Sequence, residues 1–335
     1  MTAAEQSSSE EEARDRKALK ALVDRVTSFF LVPSPPEEMP EKLSQISKYS
    51  SVPYGSIAMA FCANVQGLLT TVSIPYRLAH SAAVNQHYQR IHMAARIRSL
   101  KSRPGSQPPA DQLEAIRDRE ARAHANENMD KFVESAEGRD ALVRDSLLFL
   151  ARVYEDSSLA DAAQELILQG VVLCWGAFEV LARDCFVAHL NANPQRVKLL
   201  LDHPVAKRRF EVSKVSVETL AAHQFDLSGR MGSLLAQQQD LSDIQSIKSV
   251  YEALFLANGG LLRLVDDKSL RILSLRRNLI VHNRGVIDDV YAGAASCTQK
   301  VGERLKVSPD DLEQHLNSVI VVAAGILDAV GNCDG

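Results

Sequence analysis

The stretch from Ser158 to about Asn191 constrains this chain more than any other. Its apolar residues Leu166, Ile167, Val171, Cys174, Ala177, Phe178, Leu181 and Cys185 recur at helical spacing yet cover more than one face. A helix that is apolar nearly all round has to be surrounded by other helices, so it must be central to a bundle. The far end adds a second long helix: Ser308, Pro309 and Asp311 supply a cap, a first-turn proline and an acidic third position, and Gly331 a stop. Leu312, Leu316, Val319, Ile320, Ala323, Leu327 and Val330 make one stripe, which Val321, Val322 and Ile326 widen. That width predicts burial against two neighbours, within a bundle or across a dimer. Aromatic residues are only 5% of the chain, and with Ala, Leu and Val carrying much of the apolar mass the expectation is an all-α fold.

The remaining sequence divides by composition. Residues 1–55 read as an acidic tail, a short helix around Lys17 to Phe30, and a connector through Pro33, Pro35, Pro36 and Pro40. Residues 56–150 read as an N-terminal helical region, broken at Pro75 and interrupted by a linker from Arg103 to Pro109. Ala110 to Glu134 is charged enough for an exposed helix, and Asp140 to Tyr154 is amphipathic through Leu142, Leu147, Leu148 and Leu150. Residues 157–332 form the apolar bundle. The basic run Arg77, Arg90, Arg96, Arg98, Lys101 and Arg103 fits RNA phosphates, although a solvated helix face is the commoner use of such a pattern.

Net charge of -4 excludes a strongly basic nucleic-acid coater. Cys62, Cys174, Cys185, Cys297 and Cys333 are odd in number and scattered, which supports neither a disulfide framework nor a zinc site. The polar N-terminus lacks the pattern of a secretion signal, so the expected location is the cytoplasm. Ser56 to Pro75 is moderately apolar, but Asn64, Gln66, Gly67 and Pro75 punctuate it, and a buried helix is expected rather than a membrane span.

Chemistry concentrates in Ser274-Leu275-Arg276-Arg277-Asn278-Leu279-Ile280-Val281-His282-Asn283-Arg284-Gly285. Arg271, Ser274, Asn278 and His282 fall at i, i+3, i+7 and i+11, a polar stripe, with Ile272, Leu273, Leu275, Leu279 and Ile280 on the apolar side and Gly285 as the natural stop. On the central helix Trp175, Glu179 and Arg183 stand in one file, and a structural ion pair between Glu179 and Arg183 is expected there. Asp288 and Asp289 lack a third ligand at metal-binding spacing, so no metal and no other cofactor is expected.

The segment Arg277-Asn278-x-x-x-His282-Asn283-x-Gly285 resembles the Arg, polar residue, spacer, His motif of HEPN-domain proteins. The resemblance extends over Ser158 to Gly331: a long apolar helix with Trp175 and Glu179, an insert, the Arg-to-His helix, the acidic and aromatic stretch Ile287 to Tyr291, and a final helix. It implies an all-α helical bundle of HEPN type with an additional N-terminal helical region. It further implies a cytoplasmic homodimeric, metal-independent endoribonuclease of bacterial defence or stress response, with RNA as substrate, a neutralising or regulatory partner protein and no membrane partner. His282 would move a proton during attack of a ribose 2′-hydroxyl on the adjacent phosphate. Arg277 would clamp that phosphate, Asn278 orient the imidazole or substrate, and Arg284 add a phosphate contact. Glu179, Arg183 and Asn283 would support the site. Some family toxins carry a Tyr two positions after the His, which a partner nucleotidyltransferase modifies; Arg284 stands there in this chain. The competing implication is a catalytically silent HEPN-like module for dimerisation, RNA binding or sensing.

Overall fold

The computed structural model describes residues 17, 20–21, 23–24, 26–32, 38–49, 54–101, 110–155, 157–209, 216–238, 241–295 and 298–332. The expected linker from Arg103 to Pro109, Cys297 and Cys333, and Pro33, Pro35 and Pro36 lie outside them. The fold is all-α: the described residues contain no strand, only an isolated antiparallel bridge between Val286 and Arg304. The chain forms two compact units, one of residues 1–32 and 73–163, the other of 33–72 and 164–335.

In the first unit, α3 (Ile74–Lys101) packs against both α4 (Ala110–Glu134) and α5 (Ala136–Tyr154). Pro75 falls in the first turn of α3, where a missing N–H leaves nothing unsatisfied, so the expected break lies just before it, at Ser73. The charged helix α4 is less exposed than its composition suggests, because Ala121, Ala125 and Met129 recur every fourth residue and are buried. Val26 and Phe30 from the first helical stretch join Ala79, Leu147, Leu150 and Ala163 in one core cluster. Ser135 caps α5 by accepting from Gly138 N.

The second unit contains most of α6 (Ser157–Ala192), whose residues from Gln164 onward belong to it. Val171, Cys174, Trp175, Phe178, Leu181, Ala182, Cys185 and Phe186 are all buried. Before it come α1 (Glu38–Ser47) and α2 (Tyr54–Val72). Both belong to this unit and pack on the last helix; Pro40 sits in the first turn of α1, and Leu43 and Ile46 are buried. Tyr49, just after α1, donates to Asp328. The helix α2 runs through Asn64, Gln66 and Gly67 without interruption. It, residues 158–192 of α6 and the last helix are each long and apolar enough to cross a membrane by length and composition.

After α6 come α7 (Val197–Asp202), α8 (Pro204–Arg209), α9 (Val217–Ala222), α10 (Met231–Gln238), α11 (Ile244–Leu254) and α12 (Gly259–Val265). Then follow α13 (Lys268–Asn283), α14 (Asp289–Ala295) and α15 (Pro309–Gly331). Glycine is needed where α10 crosses α6, because a Cβ on Gly232 would stand 2.2 Å from the Val187 carbonyl oxygen. Buried Tyr251 of α11 donates to the Ala182 carbonyl at 2.8 Å, so a polar contact fixes the register of these two helices without stranding a hydroxyl. At the far end Ser308 and Asp311 form the expected capping box of α15, and its whole predicted stripe is buried, with Val321 left exposed.

Candidate functional site

The motif helix α13 is tied down at both ends. Asp267 caps its start, accepting from Ser269 N and Leu270 N. At its finish Arg284 and Gly285 both take left-handed backbone, φ 52° and 75°, and Gly285 N donates to the Leu279 carbonyl at 3.0 Å. This is a helix-terminating turn in which the cap itself is Arg284 and the expected glycine follows it. Asn283 then donates from Nδ2 to the Val286 carbonyl at 2.7 Å, locking the turn. Its role is to hold the backbone beside His282.

Arg277 is half-buried. It donates to Asn278 Oδ1 at 2.9 Å and faces Glu179 Oε2 of α6 at 3.8 Å. That carboxylate oxygen also accepts from Trp175 Nε1 at 3.0 Å, and the same indole N–H reaches the Ser242 carbonyl at 3.2 Å. Trp175 is wholly buried, so its packing fixes Glu179, and Glu179 in turn aims Arg277. The contacts to Asn278 and Glu179 engage two of the five guanidinium donors. Asn278 therefore orients the arginine rather than the imidazole.

The expected Glu179–Arg183 pair is not the one formed. Arg183 reaches its neighbour Asp184, with contacts of 3.1 and 3.0 Å, while Glu179 turns to Trp175 and Arg277. Two residues one turn apart pair only if no better partner is in reach, and here the indole and the second helix are better placed. His282 is exposed and has no hydrogen-bond or ion-pair partner among the described residues. Five residues separate it from Arg277, which puts the two about 140° apart around α13. Within one chain the structure thus gathers Trp175, Glu179, Arg277 and Asn278, and leaves His282 and Arg284 on the open side. Exposed apolar residues stand near His282 in sequence: Val281 is 48% accessible, Val286 38% and Val290 75%.

Sequence reasoning missed a polar network directly behind the motif. Arg276 donates from Nε to the Tyr291 hydroxyl at 3.3 Å, from Nη2 to Asp311 Oδ1 at 3.2 Å, and from Nη1 to His315 Nε2 at 2.9 Å. An arginine cannot accept, so His315 Nε2 must, which places the proton on Nδ1, 3.1 Å from Ser269 Oγ. Burial, then the Arg276 charge, push the His315 imidazole down to about 4 against the opposing pull of Asp311, Ser269 and Asp267. Burial raises the Asp311 carboxyl, but Arg276 and the capping-box contacts of Ser308 outweigh it and hold it below its ordinary value. The two adjacent arginines are thereby distinguished: Arg276 is spent on the fold, and Arg277 has donors to spare. The signal in the sequence is the Asp311 and His315 pair, one turn apart on the face of the last helix that Leu312, Leu316 and Val319 bury.

No group of three or more His, Cys, Asp or Glu residues able to hold a metal ion occurs among the described residues. The buried thiols of Cys174 and Cys185 are pushed up by burial, Cys174 to about 12, which makes both poor nucleophiles. No family profile, curated protein or solved structure matches this chain.

Proposed function

We propose that the chain is a metal-independent endoribonuclease of HEPN type, acting in the cytoplasm in bacterial defence or stress response. Its site is completed where two copies bring their α13 helices together. The single observation that carries the reading is the setting of Arg277: aimed by Trp175 and Glu179, steadied by Asn278, and keeping donors for an anion. His282 stands on a different side of the same helix, so a second copy is what would place an imidazole opposite an arginine. The exposed Val281, Val286 and Val290 give that copy an apolar surface to cover.

The chemistry follows from these groups. A 2′-oxygen attacks the adjacent phosphorus as His282 takes its proton, the bond to the 5′-oxygen breaks, and the imidazolium returns that proton to the leaving oxygen. A cyclic phosphate and a free 5′-hydroxyl remain. Arg277 offsets charge growing on the phosphoryl oxygens. RNA incubated with the protein in excess chelator is therefore cut, its ends carry cyclic phosphate, and a substrate with a 2′-deoxy nucleotide at the cut site stays whole. Cutting of the deoxy substrate, or arrest by chelator, would overturn this mechanism.

The alternative, a silent HEPN-like dimerisation, RNA-binding or sensing module, is favoured by one observation: among the described residues nothing hydrogen-bonds His282 to orient it. If sedimentation shows a dimer and no RNA is cut under any condition, that module is the function. Glu179→Gln separates support from chemistry. The amide oxygen can still accept from Trp175, so the variant folds and keeps cleavage within about tenfold, the scale of one weak ion pair. Complete inactivity of a folded Glu179→Gln dimer would make Glu179 a participant in the reaction.

A further inference from the structure

The basic run on α3 takes a definite shape in the first unit. From Ile74 to Lys101 that helix carries no acidic residue. Its His87, Arg90, Ile91, Ala94 and Arg98, with His124 and Asn128 of α4, line a groove of about 390 Å³. The lining holds two guanidinium groups, two imidazoles and a carboxamide, and no carboxylate.

Three carboxylates of α4 are already engaged. Glu114 meets Arg96 at 3.2 Å, Asp118 meets His92 at 3.4 Å and Arg122 at 2.8 Å, and Glu127 meets Lys131 at 2.7 Å. Arg90 and Arg98, both exposed, pair with no carboxylate among the described residues. They lie two turns apart on one side of α3, about 12 Å along the axis. A row of unanswered cations in a concave channel raises the local concentration of a polyanion, which a solvated convex face does not do. His87, which lines the groove, is held by stacking on Phe132 at a ring separation of 3.8 Å. His124 is exposed beside it. A charged channel with ring faces along it suits a single strand, whose backbone tracks the cations while its bases stack.

We propose that this groove binds the phosphodiester backbone of single-stranded RNA, a substrate-recognition site separate from Arg277 and His282. It rests on the ribonuclease reading for the identity of the polyanion. Exposed Met93 and Ile97 on the same helix would instead suit an acidic lipid surface. The concavity, with Arg90 and Arg98 along it and Met93 and Ile97 absent from its lining, favours the strand.

The test uses the full chain and a labelled 2′-O-methyl oligoribonucleotide, which has no attacking hydroxyl and so reports binding alone. Anisotropy is followed across a salt series for wild type, Arg90→Gln/Arg98→Gln and the control pair Arg122→Gln/Lys131→Gln. Each lost phosphate contact lowers the salt slope by roughly 0.7 for a single strand, so the groove variant loses about 1.4 and binds several-fold more weakly. The control pair, equal in charge removed but already engaged in ion pairs, stays near wild type, and Arg90→Lys/Arg98→Lys retains the slope. Should the groove and control variants behave alike, or should the Lys variant lose the slope as the Gln variant does, the proposal falls. It falls also if vesicles of phosphatidylcholine and phosphatidylserine, but not the oligonucleotide, bind through Arg90 and Arg98. Groove-dependent binding without cleavage of ordinary RNA keeps this site and removes the nuclease; cleavage with groove-independent binding does the reverse.

Discussion

On the proposed ribonuclease reading, His282→Ala is expected to abolish RNA cleavage while leaving the fold and the proposed dimer intact. The side chain is exposed and has no hydrogen-bond or ion-pair partner among the described residues, so its removal opens no cavity and strands no hydrogen bond. What is lost is proton transfer, which a positioned general acid or base contributes at roughly 10²–10⁴-fold. Arg277→Ala loses a comparable factor, on the order of 10²–10³-fold, through charge left unanswered on the phosphoryl oxygens. That substitution also removes the arginine that Glu179 and Asn278 face, so its thermal midpoint is measured beside its rate. Arg277→Lys is damaged too, because an ammonium offers a point charge in place of a planar two-bond clamp. Cleavage scored by gel and end-group analysis in chelator reads all three. Wild-type rates for a folded His282→Ala protein would remove the imidazole from the mechanism and the nuclease reading with it.

Long-range periodicity was legible in the sequence because burial writes itself into spacing. The run around Val171, Cys174 and Phe178 is buried as its spacing requires, whereas Gln169, Leu173 and Arg183 keep one stripe of α6 exposed. The capping residues Ser308, Pro309 and Asp311 marked the start of α15 because an orphaned helix end accepts few side chains. What periodicity cannot express is which of several partners a polar side chain takes. Glu179 and Arg183 satisfied every local rule for an ion pair, yet the choice was made by Trp175 and by α13, remote in sequence and adjacent in space. The same holds for α1. Prolines at its start read as a connector, although the first turn of a helix tolerates them and Leu43 and Ile46 supply the reason to pack.

Two neighbouring arginines illustrate the point for the candidate site. Arg276 and Arg277 are interchangeable as letters, and only the fold decides that the first meets Tyr291, Asp311 and His315 and the second meets Asn278 and Glu179. The first network stiffens the junction of α13 with α14 and α15. The motif helix can then present Arg277 in one orientation, which a phosphate clamp requires more than it requires charge.

That stiffening has a measurable pH signature. His315 is neutral in the fold because Arg276 occupies Nε2 and burial penalises a charge. In the unfolded chain the imidazole titrates near its ordinary 6.5, whereas in the fold it resists protonation down to about 4. Above the ordinary value both states are neutral and the group costs nothing. As pH falls from there the unfolded state alone takes the proton, so stability drops by about 3 kcal/mol before levelling near the folded value. Asp311, held below its ordinary value, adds a loss of the same sign, but only at the acid end of that window. His315→Gln isolates the histidine: its amide oxygen can accept from Arg276 and its NH₂ donate toward Ser269, and it carries no titrating proton. Urea midpoints measured between pH 7 and pH 4 should fall more steeply for wild type than for His315→Gln, the two curves parting by about 3 kcal/mol at the acid end. Parallel curves would mean that His315 is charged in the fold, that Arg276 does not face it, and that the rigid seat of Arg277 has another cause.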